Sequence, residues 1–295
     1  MVLIRPDPVT VGGVALDNHL LLAAGILGTT GSSLARMLSL GAGGVVTKSI
    51  GPHPKDGHAG PCLVVLEDGL INAMGLPNPS KEFADELTSL AKKPVIASIF
   101  GGDPAEFALV ASWFKGMVAG FELNLSCPHA EGYGAAIGTD PEVVKACTRA
   151  VSVTGVPTWV KLTPNVTDIT AIGEAAEAGG ASAIVAINTI KAMRISTGMH
   201  SPVLGNRYGG LSGSAIFPIA IRCVYELYES CNLPIIGCGG ITTADNVIEM
   251  MMAGASAVEI GSAVYNDVKV FETIKADLYR KDGLPPSEII GCAHG

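Results

Sequence analysis

Residues 121–153 read F-E-L-N-L-S-C-P-H-A-E-G-Y-G-A-A-I-G-T-D-P-E-V-V-K-A-C-T-R-A-V-S-V: an apolar strand, a glycine-rich loop and a helix in succession. Phe121, Leu123 and Leu125 alternate with Glu122, Asn124 and Ser126, so a strand over 121–125 places the polar set on one face. Pro128 donates no ladder hydrogen bond and biases Cys127 away from helical geometry, which presents the thiol at a strand-to-loop edge. The loop that follows is expected to act as a lid, and Pro141 stands where a first-turn proline is tolerated, opening a helix over 141–153.

The same unit recurs along the chain. Short apolar strands are expected at 20–23, 44–47, 94–98, 121–125, 157–162, 183–187, 234–237 and 257–260. Helices are expected at 32–40, with Ser32 or Ser33 as N-cap, and at 80–91, 104–115, 141–153, 168–178, 214–231, 243–253 and 268–281. Eight strand-helix units demand parallel pairing and suit a closed barrel, although an open doubly wound sheet shares the local pattern. Glycine, amide and charged residues recur at nearly every strand's C-terminal end, where an open sheet would gather them at one crevice. The expected architecture is therefore α/β, a single (β/α)8 TIM barrel over residues 1–295, with an N-terminal hairpin at 2–16 capping its bottom. Two long loops, 49–79 and 188–213, belong to the active-site end.

Hydrophobic residues make up 48% of the 295 and charged residues 16%, ample material for a packed core. A formal charge of -8 without a basic cluster argues against nucleic acid or an anionic membrane as partner. The seven cysteines are scattered, odd in number and without a C-x-x-C pair, as reduced cytoplasmic thiols would be. The opening M-V-L-I-R-P-D-P has no continuous apolar run, so no signal peptide is expected, and no later stretch combines the length and the absence of glycine, proline and charge that a membrane helix needs.

Strand seven ends in G-C-G-G-I at 237–241 and strand eight in G-S-A at 261–263. Glycines let backbone N–H groups approach an anion, and barrel phosphate sites are built from these two loops. Lys48 and Lys161 stand at the exits of apolar strands and would face a ligand at the barrel's top. Asn72, Asn124 and Asn188 share that end, and carboxamides suit the alternating C=O and N–H groups of a cyclic amide. No metal-ligand spacing and no strand-borne G-x-G-x-x-G fingerprint is present, so neither a metal nor bound nicotinamide is expected.

These motifs (T-K-S at 47, N-A-M-G-L-P-N at 72, N-L-S-C-P at 124, V-K-L-T-P-N at 160, I-N-T at 187, G-G-L-S-G at 209, G-C-G-G-I at 237, terminal I-I-G-C-A-H) make the chain resemble the class 1 dihydroorotate dehydrogenases, in particular the NAD-linked 1B type. The resemblance spans almost the whole length and implies an FMN-dependent barrel that oxidises dihydroorotate to orotate in pyrimidine biosynthesis. It implies Cys127 as the general base at C5, with hydride passing from C6 to the flavin. Lys48 would meet the substrate carboxylate, and Asn72, Met74, Gly75, Leu76, Asn124, Asn188 and Thr189 would hold the pyrimidine ring. For FMN it implies Ala24, Lys48, Ser49, Ser98, Asn124, Lys161 and Ile187, with Gly213, Gly239, Gly240, Gly261 and Ser262 at the ribityl phosphate. It further implies a homodimeric core and a separate FAD and iron-sulfur (2Fe-2S) subunit passing electrons to NAD, together a heterotetramer.

The chain departs from the family pattern at His129, where Asn is common, and at Ala24 and Ser98, where Ser and Asn are common. It is also similar to the pyrimidine-binding barrel of the dihydropyrimidine dehydrogenases, which act on uracil and thymine. A stand-alone class 1A enzyme reducing fumarate is the other alternative. Lys48 favours a substrate that carries a carboxylate.

Overall fold

The computed structural model describes residues 3–5, 7–125, 137–280 and 282–295. The glycine pair Gly12 and Gly13, both at positive φ (50° and 81°), turns β1 (Val9–Val11) back onto β2 (Val14–Leu16). A Cβ on Gly12 would lie 2.6 Å from Trp159 Nε1, and that indole N–H donates to the Gly12 carbonyl at 3.3 Å. The hairpin thus seats its buried Val11, Val14 and Leu16 against Trp159 and Ala183 and closes one end of a barrel, as expected.

The wall begins with β3 (Leu20–Leu22), α1 (Gly31–Ser39) and β4 (Gly44–Val46). An excursion forms β5 (Leu63–Leu66) and β6 (Gly69–Asn72), and a short turn of helix, α2 (Ala84–Leu87), leads to β7 (Val95–Ile99) and α3 (Pro104–Phe114). Next come β8 (Gly120–Asn124), α4 (Pro141–Ser152), β9 (Thr158–Leu162), α5 (Ile169–Ala178) and β10 (Ala183–Ala186). A second excursion carries β11 (Ile190–Ala192), β12 (Ile195–Ser196), β13 (Ser201–Pro202) and β14 (Gly209–Ser212). The chain continues through α6 (Phe217–Ser230), β15 (Ile235–Cys238), α7 (Ala244–Met252), β16 (Ala255–Ile260), α8 (Ala263–Asn266) and α9 (Val270–Leu278).

Eight strands close a ring in chain order, β3-β4-β7-β8-β9-β10-β15-β16 and back to β3, and every pairing is parallel. This is the (β/α)8 barrel. Strand alternation sorts the side chains: Phe121, Leu123 and Leu125 enter the outer core between strands and helices, whereas Leu21, Val46, Ile96, Trp159, Val185 and Ile236 fill the interior with the hairpin.

Several boundaries differ from the expectations. The first helix is capped by Thr30, whose hydroxyl accepts from Ser33 N at 3.2 Å, rather than by Ser32 or Ser33, because Gly31 already lies inside the helix. The segment 80–91 is not one helix: Ser80 sits at φ 59° with its N–H on Asn78 Oδ1, and the run tightens into 3₁₀ turns at Ser80–Phe83 and Thr88–Leu90 around α2. The closing helix is shorter than expected, α9 covering Val270–Leu278, and a separate short turn of helix, α8, precedes it.

The largest correction concerns the two long loops. They carry strands that combine into a separate antiparallel sheet, β11-β14-β6-β5. The pairing of β14 with β6 joins Gly210 to Asn72, residues far apart in sequence, so no local pattern announced it.

Candidate active site

The strand ends at the barrel mouth are tied by a row of side-chain hydrogen bonds. Ser98 Oγ, at the end of β7, lies 2.9 Å from Ser49 Oγ. Asn124 Nδ2, at the end of β8, donates to Ser49 Oγ at 3.1 Å, and Asn188 Nδ2, just past β10, donates to Asn124 Oδ1 at 3.2 Å. The Asn188 Oδ1 then accepts from Thr189 N at 2.7 Å. Five expected site residues from four barrel units therefore form one polar row, held on rigid strand ends.

Thr189 connects this row to the excursion sheet. A Cβ on Gly210 would lie 2.1 Å from Thr189 Oγ1, so only glycine lets β14 lie on that side chain, and the Gly210 carbonyl accepts from Asn72 Nδ2 at 3.5 Å. Asn72 is thus linked to Thr189 through Gly210. Met74, Gly75 and Leu76 follow β6 in a tight loop, with Gly75 and Leu76 at φ 75° and 56°. Asn78 holds that loop: its Oδ1 accepts from Gly51 N and Ser80 N, and its Nδ2 donates to the Leu76 carbonyl at 3.0 Å.

Lys48 lies just past β4, its N–H bonded to the Gly28 carbonyl at 2.9 Å. Burial lowers the pKa of its ammonium from the usual range, and among the described residues it makes no ion pair. A partly dehydrated cation of this kind gains most from an anionic ligand. Lys161 behaves differently. Its ammonium does not leave the barrel; it turns into the interior to Glu259 Oε2 at 2.5 Å, with Glu122 Oε1 at 3.7 Å.

At the opposite side of the ring the glycine loops converge. A Cβ on Gly240 (φ 73°) would fall 2.7 Å from Phe217 Cβ and 2.8 Å from the Gly213 carbonyl, and one on Gly239 (φ 131°) 3.3 Å from Ile216 and 3.6 Å from Ile187. Gly213, itself at φ 109°, precedes the turn that opens α6. Gly261 and Ser262 follow β16, where a Cβ on Gly261 would reach Ala23 only at 3.4 Å, which leaves the wall beside Ala24 open. The N–H groups of Gly239, Gly240, Gly261 and Ser262 enter no loop or turn hydrogen bond among the described residues. Backbone donors on glycine loops of this kind, without a partner among the described residues, fit a phosphate group.

Cys127 and His129 lie outside the described residues. Glu122 and Glu259, the partners of Lys161 inside the barrel, were not among the expected site residues. Their signal was present: each is an acid inside an otherwise apolar strand, F-E-L and V-E-I. A cavity of about 710 Å3 lies between Val65, Asp68, Arg194 and Ile195, against the excursion sheet, and is lined by none of the expected site residues.

The sequence family described as dihydroorotate dehydrogenase matches residues 8–281. The chain is 56% identical over 290 residues to the dihydroorotate dehydrogenase B (NAD(+)) catalytic subunit of Methanocella arvoryzae, covering 96% of each protein. The protein of that name from Pyrococcus horikoshii is 51% identical over 89% of this chain and 88% of its own. That from Methanocaldococcus jannaschii is 45% identical over 96% of both. The family match over nearly the full length, the relatives' identity and a barrel of this topology place the chain in the dihydroorotate dehydrogenase family, the flavin-dependent oxidoreductases of that reaction.

Proposed function

We propose that this chain is the FMN-carrying catalytic subunit of an NAD-linked dihydroorotate dehydrogenase, oxidising dihydroorotate to orotate in the cytoplasmic route to UMP. The observation that carries the reading is the row Ser98, Ser49, Asn124, Asn188, together with Lys48, the residue before Ser49, whose ammonium makes no ion pair among the described residues. Carboxamides match the donor and acceptor edge of a dihydropyrimidine ring, and the lysine matches a carboxylate that uracil and thymine lack. Asn72, Thr189 and the loop Met74, Gly75 and Leu76 complete the ring's enclosure.

The residues divide by task. Cys127 takes the proton from C5, and because a free thiol of pKa about 8.5 is only a few per cent thiolate at pH 7, its activity rises with pH. FMN, when bound, supplies the acceptor for the hydride that leaves C6. Gly213, Gly239, Gly240, Gly261 and Ser262 hold the phosphate end, while Ala24, Ser49, Ser98, Ile187 and Lys161 border the ring system.

The relatives' designation as catalytic subunits supports a partner that carries FAD and a 2Fe-2S cluster and hands electrons to NAD. No group of side chains among the described residues could hold a metal, and no helix among them is long and apolar enough to cross a membrane. One domain, a homodimeric core and a heterotetramer with the partner complete the proposal. Purified protein is expected to be yellow. Under anaerobic conditions dihydroorotate bleaches it and dihydrouracil does not, and NAD restores the colour only when the partner is added. Reoxidation by fumarate instead would mark a stand-alone enzyme, and colourless protein that takes up no FMN would refute the reading.

A further inference from the structure

Lys161, Glu122 and Glu259 form a cluster sealed inside the barrel, with exposures of 5%, 0% and 1%. Lys161 on β9 and Glu259 on β16 stand three strands apart around the ring, so the ammonium crosses the interior to reach Glu259 Oε2, while Glu122 leans in from the adjacent β8. Two ionised carboxylates and one ammonium would leave a net buried negative charge, which is costly in a low-dielectric interior. They would also leave both Glu122 oxygens and Glu259 Oε1 without a hydrogen-bond donor. One proton between the carboxylates removes the excess charge and supplies a donor.

The other titratable group facing the cluster is Cys238 on β15, whose Cα pairs with Glu259. Burial pushes its thiol up to about 12, so it brings no charge. Burial, then the Glu259 charge, hold Glu122 well above the usual carboxylate range against the pull of Lys161. For Lys161 burial acts downward, yet the Glu259 carboxylate and its hydrogen bond hold the amine protonated.

We propose that Glu259 and Glu122 are positioning residues: they clamp the Lys161 ammonium beneath the barrel mouth with a single proton shared between the two carboxylates, Glu259 as counter-ion and Glu122 as the acid. The clamp is electrically neutral, and Lys161 remains cationic beneath the ligand. Replacing Glu259 by Gln obliges Glu122 to ionise, because Lys161 keeps only that counter-ion, and negative charge moves from the β16 side to the β8 side. Replacing Glu122 by Gln removes the proton and leaves the Lys161–Glu259 pair in place.

Infrared spectroscopy of the flavin-free chain in H2O and D2O at neutral pH tests the shared proton. The wild type is expected to show the C=O band of a buried carboxylic acid, and both Glu122→Gln and Glu259→Gln to lose it. A wild type without the band, or a band that persists in either variant, overturns the proposal, and the wild-type spectrum alone decides should a variant fail to fold. The positioning role rests on the function proposed above and is read in FMN-loaded protein: the flavin potential and visible spectrum shift more in Glu259→Gln than in Glu122→Gln. An equal or reversed order overturns it. A wild type that takes up no FMN refutes the functional reading and leaves the infrared result standing.

Discussion

Asn188 donates its carboxamide N–H to Asn124 Oδ1 at 3.2 Å, a bond that links the end of β10 to the end of β8 across the strand between them. Asn124 passes the constraint on to Ser49. Its orientation is therefore fixed from both sides before any ligand arrives. Asn188→Ala is expected to lower kcat/KM for dihydroorotate about 5- to 150-fold, corresponding to the roughly 1–3 kcal/mol that an unmade hydrogen bond costs. Steady-state kinetics with unchanged flavin content would check it; an unaffected kcat/KM would remove the row from substrate recognition.

Lys48 offers a test by pH. Burial lowers its pKa, so its charge is lost at a lower pH than that of an exposed lysine. Dihydroorotate affinity is expected to fall as pH rises through that lowered pKa, and Lys48→Met to weaken binding about 100-fold at neutral pH while abolishing the decline. Titration of flavin absorbance with orotate at several pH values reads both effects.

Cys127→Ser is expected to retain FMN and to slow its reduction by about 10²- to 10⁴-fold, the usual contribution of a general base. Stopped-flow reduction by dihydroorotate measures it. A rate equal to wild type would take Cys127 out of the mechanism.

Asn78 tests the loop at Leu76. Its side chain satisfies the N–H groups of Gly51 and Ser80 and holds the Leu76 carbonyl. Asn78→Ala is expected to destabilise the protein by about 1–3 kcal/mol, from buried donors left unmade, and to raise KM more than it lowers kcat. Urea unfolding and steady-state kinetics give the two halves of this prediction.

The barrel's closed end has its own pH signature. His19 is buried, its ring bonded to the Tyr279 hydroxyl at 3.0 Å, and burial lowers its pKa from 6.5 to about 4. Between those values the unfolded chain binds the proton and the folded chain does not, so stability falls as pH drops through this window. The loss amounts to about 3 kcal/mol by pH 4, at 1.36 kcal/mol per pH unit. Urea unfolding from pH 7 to 4 should show this slope in the wild type and a shallower one in His19→Gln.

The β/α rhythm was legible because each unit carries its own pattern: the alternation of Phe121, Leu123 and Leu125 with Glu122 and Asn124 specifies which side faces the interior before any partner strand is known. The placement of Ser98, Asn124 and Asn188 at strand ends was legible for the same reason. What escaped was non-local. The β14–β6 pairing depends on segments that meet only once the ring has closed, and the partnership of Lys161 with Glu259 depends on two strands three places apart. A lysine leaving an apolar strand reads as a ligand-facing cation until the acid across the barrel is known to capture it. The Thr30 cap was missed for a smaller reason: the serines beside it offer the same hydroxyl, and only the backbone decides which stands outside the helix.

The second and sixth units stand opposite one another in a ring of eight, and the β11-β14-β6-β5 sheet is woven from the excursions that follow those two. It is therefore a strap across the diameter of the mouth. Asn124 and Lys161 come from units in one half, and the glycine loops at Gly239 and Gly261, with Ala24, from the other. A ligand that touches both halves has to lie under the strap, lengthwise across the opening. Asn72 lies on the strap itself and Thr189 abuts it at Gly210. The two ends of such a ligand are then inspected by different parts of the chain, and its middle by a bridge that neither half carries alone.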